Sequence, residues 1–400
     1  MSWWICFMPG SSEIEGLYVH VPFCDGKCHY CAFYSVPYTR ERGESWLTAV
    51  IMEWEAFRSD RTPLALDTVF IGGGTPSLLP PDLLQRLVKT IKDEMGFGNP
   101  VREWTCEANP GSLDSERLDL MKIHGVNRIS LGIQSLQDEV LGRLGRRHTL
   151  HDIQDSVRAI QAAGFTNWNL DLIACVPGVT LTAWRETLQA VVQLGAPHIS
   201  VYALTREEGT RLAQEHRRGR PTLLDDDDQL QMLEEAEKIL VAAGLNRYEI
   251  SNYARPGFEC QHNLSCWRGG NYLGLGCAAS SRVGARRWSN KADLDLYTNC
   301  LSPGSNPREQ WGAIRENSET LSPETDAVER LIFGLRMAEG IDLNGILGHT
   351  GLEHSSIGCR WRTVLERLSR EGLLVSTGGR WRLTGKGRAM ADHVAVELIP

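Results

Sequence analysis

Short apolar runs and stretches of helical spacing alternate along the first half of the chain. The runs at 17–21, 68–71, 103–107, 128–133, 168–173 and 198–204 have the length and composition of strands. Between them the spacing turns helical. Over 181–194, Trp184, Thr187, Leu188 and Val191 recur at i, i+3, i+4 and i+7 and share one face. Six repeats of strand then helix predict an α/β fold, with a parallel sheet curled into a partial barrel. Chemistry in such barrels gathers at the C-terminal ends of the strands. A cysteine-rich loop follows the first strand, and Gly72, Gly73, Gly74, Thr75 and Pro76 follow the second. Glu107 closes the third strand, Gln134 closes the fourth, Asp171 lies in the fifth and Thr205 follows the sixth.

The second half is patterned differently. Residues 206–224 are polar and read as a connector. The acidic run 225–228 is placed to complement the dipole of a helix reaching about Ala243, with Leu233, Ala236 and Leu240 on its buried face. Residues 248–276 are dense in glycine and aromatics, with His262, Asn263, Leu264, Ser265, Cys266 and Trp267 at their centre. From Leu321 two amphipathic faces follow: Val328, Leu331, Ile332 and Leu335, then Trp361, Val364, Leu365 and Leu368. A hairpin (373–376 with 380–383) and a last helix to about Leu398 complete a winged-helix-like α+β module. The expected division is an extension over 1–16, the barrel over 17–215, a helical and aromatic connector over 216–320, and the C-terminal module over 321–400.

Composition narrows the class. The 42% apolar and 23% charged residues are ordinary for a globular chain of 400 residues. A net charge of −8 argues against broad nucleic-acid binding, which calls for a basic surface. Between Ser355 and Arg388, eight Arg and Lys face two Glu, which reads as a solvated or partner-docking face. No stretch approaches the ~20 apolar residues of a membrane span. The apolar start is broken at Pro9-Gly10 and lacks the basic region of a signal peptide, so the chain is expected in the cytoplasm. Trp3, Trp4 and Phe7 allow peripheral membrane contact at most.

Eleven cysteines do not form a disulfide framework here, because the count is odd and three of them crowd together. Cys24, Cys28 and Cys31 are spaced C-x3-C-x2-C on a loop broken by Pro22, Asp25 and Gly26. Thiolates are soft, negatively charged ligands, and three on one loop call for a metal. Structural zinc most often takes two distant Cys-x2-Cys pairs, whereas the other eight cysteines are scattered singly. A cubane iron–sulfur cluster with one iron left open fits the triplet better, and zinc is the competing reading.

The triplet, with Tyr30 directly before its third cysteine, resembles the signature of the radical S-adenosylmethionine (SAM) family. LYVHVPFC, YEISNYARPG and HNLSCWRGGNYLGLG resemble the oxygen-independent coproporphyrinogen III oxidase group, including its heme-chaperone branch. The likeness runs from about Leu17 to the C-terminus. It implies a (β/α)6 core and a [4Fe-4S] cluster on Cys24, Cys28 and Cys31. It also implies SAM at the open iron, cleaved by a cluster electron to a 5′-deoxyadenosyl radical. By the same resemblance Tyr18, Tyr30, Gly73, Gly74, Thr75, Glu107, Gln134, Arg146, Asp171 and Thr205 match SAM-contacting positions. Outside this context Arg146 reads as a solvated helix end and Asp171 as a locally paired carboxylate. His262 matches the histidine of an HNxxYW motif implicated in heme binding, with Cys266 where that motif has tyrosine.

Two functions follow from the resemblance. One is a chaperone that binds heme and delivers it to apoproteins; the other is oxidative decarboxylation of coproporphyrinogen III in porphyrin biosynthesis, or a related radical reaction on a tetrapyrrole. The oxidase has a fourth cysteine two residues after the third, where this chain has Phe33, and a long segment ahead of the cluster strand, where only sixteen residues precede Leu17. Both departures favour the chaperone. An electron donor such as flavodoxin or ferredoxin is implied if SAM is cleaved, and a homodimer is left open.

Overall fold

A computed structural model describes residues 14–58, 66–93, 95, 101–220 and 223–400. The aromatic start of the chain, with Trp3, Trp4, Cys6 and Phe7, lies outside them. Six strands make the barrel: β1 (Gly16–Val21), β2 (Thr68–Gly73), β3 (Glu103–Ala108), β4 (Arg128–Gln134), β5 (Asn167–Ala174) and β6 (His198–Ala203). They pair in parallel, each with the next. Helices α1 (Arg40–Phe57), α2 (Pro81–Asp93), α3 (Ser115–His124), α4 (Asp138–Leu144), α5 (Leu150–Ala162) and α6 (Leu181–Gln193) fill the crossovers. Crossover helices of this kind bury the outer face of the sheet.

Alternation along each strand decides which face is wet. Val69, Ile71, Trp104, Cys106, Ile129, Leu131, Leu170, Leu172, Ile199 and Val201 belong to the main hydrophobic core. The intervening residues Phe70, Glu107, Arg128, Ser130, Asn169, Asp171, His198 and Ser200 line a central chamber instead. Side chains two apart point to the same face, so one register sets both surfaces. A polar barrel interior of this kind is a ligand chamber rather than a packed core.

The segment 216–320, expected as a connector, adds strands to both edges of the same sheet. After α7 (Arg211–Arg217), which gives the polar stretch 206–224 a helix of its own, comes α8 (Asp226–Ala242). Asp225 caps α8 by accepting from the Asp228 backbone N–H at 2.8 Å. Met232, Ala236 and Leu240 are its buried residues, with Leu233 only partly covered. Then β7 (Asn246–Arg247) and β8 (Asn252–Ala254) extend the β6 edge. Strands β9 (Tyr272–Leu275), β10 (Ser280–Val283), β11 (Arg286–Asn290) and β12 (Arg315–Thr320) extend the β1 edge. The full order is β12-β11-β10-β9-β1-β2-β3-β4-β5-β6-β8-β7. Between β8 and β9, α9 (Gln261–Trp267) carries the HNLSCW segment. Helices α10 (Leu294–Cys300) and α11 (Pro307–Ile314) lie between β11 and β12.

The C-terminal module has a core of its own, built from Ala327, Leu331, Leu347, Trp361, Leu365, Leu368 and Leu398. It comprises α12 (Pro323–Arg336), α13 (Leu343–Thr350), α14 (Ser356–Arg370), the hairpin β13 (Leu374–Thr377) and β14 (Arg380–Leu383), α15 (Gly385–Ala389) and α16 (Ala391–Leu398). The Trp361 indole N–H donates to the Leu398 carbonyl at 2.8 Å and ties the final helix to α14.

Candidate functional site

The cysteine loop leaves β1 at the C-terminal end of the barrel. Cys24, Cys28 and Cys31 are free thiols, all partly exposed, and all three line the chamber. Among the described residues no three His, Cys, Asp or Glu side chains converge on one point fit for a single ion. Polar groups reach two of the three sulfurs: Arg146 Nη1 donates to Cys28 Sγ at 3.5 Å, and Thr75 Oγ1 lies 3.4 Å from Cys24 Sγ. Such contacts orient ligands and tune a metal centre. Burial raises the Cys31 pKa, opposed by the backbone contact at Phe33 and by Lys27. The Lys27 ammonium itself donates to the Phe33 carbonyl.

The chamber encloses about 660 Å³. Of the residues expected to touch SAM, Tyr30, Gly73, Gly74, Glu107, Gln134, Arg146, Asp171 and Thr205 line it. Gly73 has φ +103°, and a Cβ on Gly74 would meet the Phe23 carbonyl oxygen at 2.5 Å, so side chains are excluded at both positions. Gln134 ends β4 at φ 64°, a left-handed conformation uncommon for a side chain of its size. Arg146 is held by Asn109 Oδ1 and the Gly132 carbonyl, each at 2.6 Å.

Two of the carboxylates that line the chamber stand on barrel strands, Glu107 on β3 and Asp171 on β5. Glu107 Oε2 accepts from the Gly73 N–H at 3.0 Å. Burial, with the Asp171 charge second, pushes its pKa up to about 7. Asp171 is likewise raised by burial, while Asn169 and Ser200 pull it down. Acceptors of this kind suit an ammonium group and sugar hydroxyls, so the donor set fits SAM beside a cluster.

Three expected residues sit elsewhere. Tyr18 does not itself line the chamber; its ring lies 6.2 Å from that of Phe70 and its hydroxyl meets His20 Nδ1 at 3.0 Å. His20 Nε2 donates to the Tyr34 carbonyl at 3.0 Å, which leaves Nδ1 to accept from Tyr18. Thr75 is buried behind the cysteine loop, between Cys24 and Asn109 Nδ2 (2.8 Å). His262 is buried at the opposite, N-terminal end of the strands. Its Nδ1 lies 2.9 Å from Thr68 Oγ1, and its ring lies 5.3 Å from that of Phe70. Burial, then the Arg128 charge, lowers its pKa to about 4. Its neighbour Asn263 is the α9 residue that lines the chamber.

Sequence reasoning missed the residues that organise this arrangement. Asn109 bridges Arg146 to Thr75. Ser130, Asn169, His198 and Ser200 build the lower wall. Their signal was the polar half of each alternating strand, as in RISLGIQ and HISVYA.

The Radical SAM superfamily model matches residues 18–191, and that of the HemN C-terminal domain matches 321–390. The heme chaperone HemW of Escherichia coli is 37% identical over 381 residues, covering 94% of this chain and 96% of the relative. Its counterparts in Lactococcus lactis and Mycobacterium tuberculosis are each 35% identical; they cover 96% and 98% of this chain, and 96% of each relative. The solved structure of coproporphyrinogen III oxidase (HemN) from Escherichia coli superposes with a TM-score of 0.81 at 24% identity, covering 97% of this chain and 90% of that one. Among the described residues no helix is long and apolar enough to cross a membrane.

Proposed function

The chain belongs to the HemW family of heme chaperones, within the radical SAM superfamily, and from that premise we propose that it binds a [4Fe-4S] cluster, SAM and heme and passes the heme to acceptor apoproteins. The observation that carries this reading is the convergence on one chamber of three free thiols with Gly73, Gly74, Glu107, Gln134, Arg146 and Asp171. When bound, a cluster on Cys24, Cys28 and Cys31 supplies an open iron for the amino and carboxylate groups of SAM and an electron for its sulfonium.

The chain's own residues position the ligands. Gly73 and Gly74 leave backbone at the chamber wall, Glu107 and Asp171 take cationic and hydroxyl groups, and Arg146 sets the charge beside Cys28. Heme is assigned to the α9 segment, with His262 as the iron ligand. Burial keeps that imidazole neutral, the form that ligates iron. Its Nδ1 contact with Thr68 leaves Nε2 as the nitrogen for iron, and the ring is buried, so heme binding draws on the seating of α9. An electron carrier of the flavodoxin or ferredoxin class is the partner that SAM cleavage would need.

Anaerobic reconstitution with iron and sulfide, followed by heme titration and an assay for coproporphyrinogen III decarboxylation, tests the reading. The expected result is about four irons per chain, a cluster signal that responds to SAM, and heme binding that weakens in His262→Ala. Turnover of coproporphyrinogen III would replace the chaperone with the oxidase. A chain carrying only stoichiometric zinc would end both.

A further inference from the structure

The deep end of the chamber is a closed hydrogen-bond network except at one member. Asn169 Nδ2 donates to Ser130 Oγ at 2.8 Å and to Asp171 Oδ1 at 2.7 Å, and Ser130 donates to Asp171 Oδ2 at 3.3 Å. His198 Nδ1 donates to Asn169 Oδ1 at 2.6 Å, and its Nε2 lies 2.8 Å from the Tyr248 hydroxyl. Glu103 commits both oxygens to α9, accepting from the Gln261 N–H at 2.9 Å and the His262 N–H at 3.0 Å. Each nearby carboxylate is therefore already engaged.

Arg128 is the exception. It opens β4, is 2% exposed and lines the chamber. The one hydrogen bond made by its guanidinium among the described residues is a long one, from Nη1 to Thr105 Oγ1 at 3.4 Å. Its Nε is buried with no acceptor, and among the described residues no carboxylate oxygen lies within ion-pair distance of it. Burial works against the charge, yet Cys260, Glu103, Tyr248 and Asp171 more than offset it and hold the pKa above its ordinary value. A buried guanidinium with unmatched N–H groups is costly, and its planar fork matches a carboxylate with two parallel hydrogen bonds.

We propose that the deep end of the chamber is a carboxylate subsite built on Arg128, and that it anchors a propionate group of the tetrapyrrole. The proposal rests on the heme-binding reading above. Position favours propionate over the carboxylate of SAM, because the cysteines stand at the mouth and Arg128 at the far end of the strands. Lys27 and Arg146 stand with the cysteines, and Glu107 and Asp171, standing higher in the wall than Arg128, set its guanidinium apart as the cation of the deep end. Asn252 and Asn263 line the same recess with neutral groups.

The test titrates the reconstituted protein with hemin, with hemin dimethyl ester, whose propionates carry no charge, and with SAM. The wild-type protein is expected to bind hemin about 10- to 100-fold more tightly than the ester, the range for charged hydrogen bonds. Arg128→Met should lower hemin affinity to that of the ester and leave ester and SAM affinities unchanged, with Arg128→Lys in between. Equal wild-type affinities for hemin and ester would overturn the subsite, as would equal weakening of both in Arg128→Met or a loss confined to SAM. If Arg128→Met does not fold, the wild-type comparison decides alone. Failure of the wild-type protein to bind either porphyrin would instead sink the heme-binding reading, and the subsite with it.

Discussion

Glu107 faces Asp171 from β5, Arg128 from β4, Tyr18 from β1 and Tyr202 from β6, with Cys106 beside it on its own strand. Burial and Asp171 dominate and push its pKa from 4.5 up to about 7. The native state therefore keeps a proton that the unfolded chain releases between those two values. Stability of the ligand-free protein must fall as pH rises through that window, by on the order of 3 kcal/mol. Glu107→Gln should flatten the slope and raise the melting temperature at pH 8. It should also weaken SAM binding there about tenfold, because the ionised carboxylate that holds an ammonium is gone. In the wild-type protein SAM affinity should climb through pH 7 as Glu107 ionises. Thermal melts of both proteins from pH 5 to 8 check this, and parallel curves would refute it. The place of this residue in the chamber wall was legible from its strand end, but its pKa was not. That depends on Asp171, a partner 64 positions away whose approach only the sheet register sets.

At the scale of elements, α9 is a seven-residue helix, too short to hold itself in water, so its position depends on what grips its ends. Glu103 is buried at the start of β3 and accepts from the first two amides of α9. Cys260 Sγ donates to the same carboxylate at 3.4 Å. A carboxylate at a helix N-terminus satisfies orphan donors and the dipole together. Glu103→Ala leaves these donors buried and unmatched, at a cost of about 2 kcal/mol, and it loosens the seat of His262. Urea unfolding should show the loss, and His262 should become more reactive towards diethyl pyrocarbonate; an unchanged midpoint would contradict the account. The sequence revealed this element only as a motif rich in glycine and aromatics. Periodicity marks strands and long helices well, and the six barrel strands were legible within a few residues. It cannot show that Glu103, far upstream, closes the barrel floor through α9. Among the strands of 272–320, β11 and β12 were missed for a related reason: RRWSN and RENSET are polar, so no apolar run announced them.

At the scale of the molecule, the C-terminal module docks on the β9–β12 edge of the sheet through charge. Arg282 on β10 is buried and pairs with Asp326 and with Glu329 (3.1 Å) of α12. Arg287 also reaches Glu329, Arg330 pairs with Asp326 at 3.0 Å, and Arg336 with Glu249 at 3.2 Å. The Arg336 guanidinium also stacks on Trp267 of α9, 4.7 Å from the ring centre, so the module bears on the same helix that carries His262. This is where the basic face of the module, read from sequence as solvated or partner-docking, is partly absorbed: Arg388 pairs with Glu237 of α8 at 2.9 Å. Buried pairs contribute little net stability while intact, and removing one partner strands the other charges. Arg282→Met should therefore destabilise the protein by about 3 kcal/mol. Arg287 and Arg330 remain to limit the loss. The double variant Arg282→Met with Asp326→Leu should recover part of it, because the stranded carboxylate is removed as well. Limited proteolysis provides a second readout, with cleavage between the barrel and residue 321 faster in the single variant than in the double. If the two variants unfold alike, the ion pairs are incidental and apolar contact such as Trp267 against Phe333 holds the module in place.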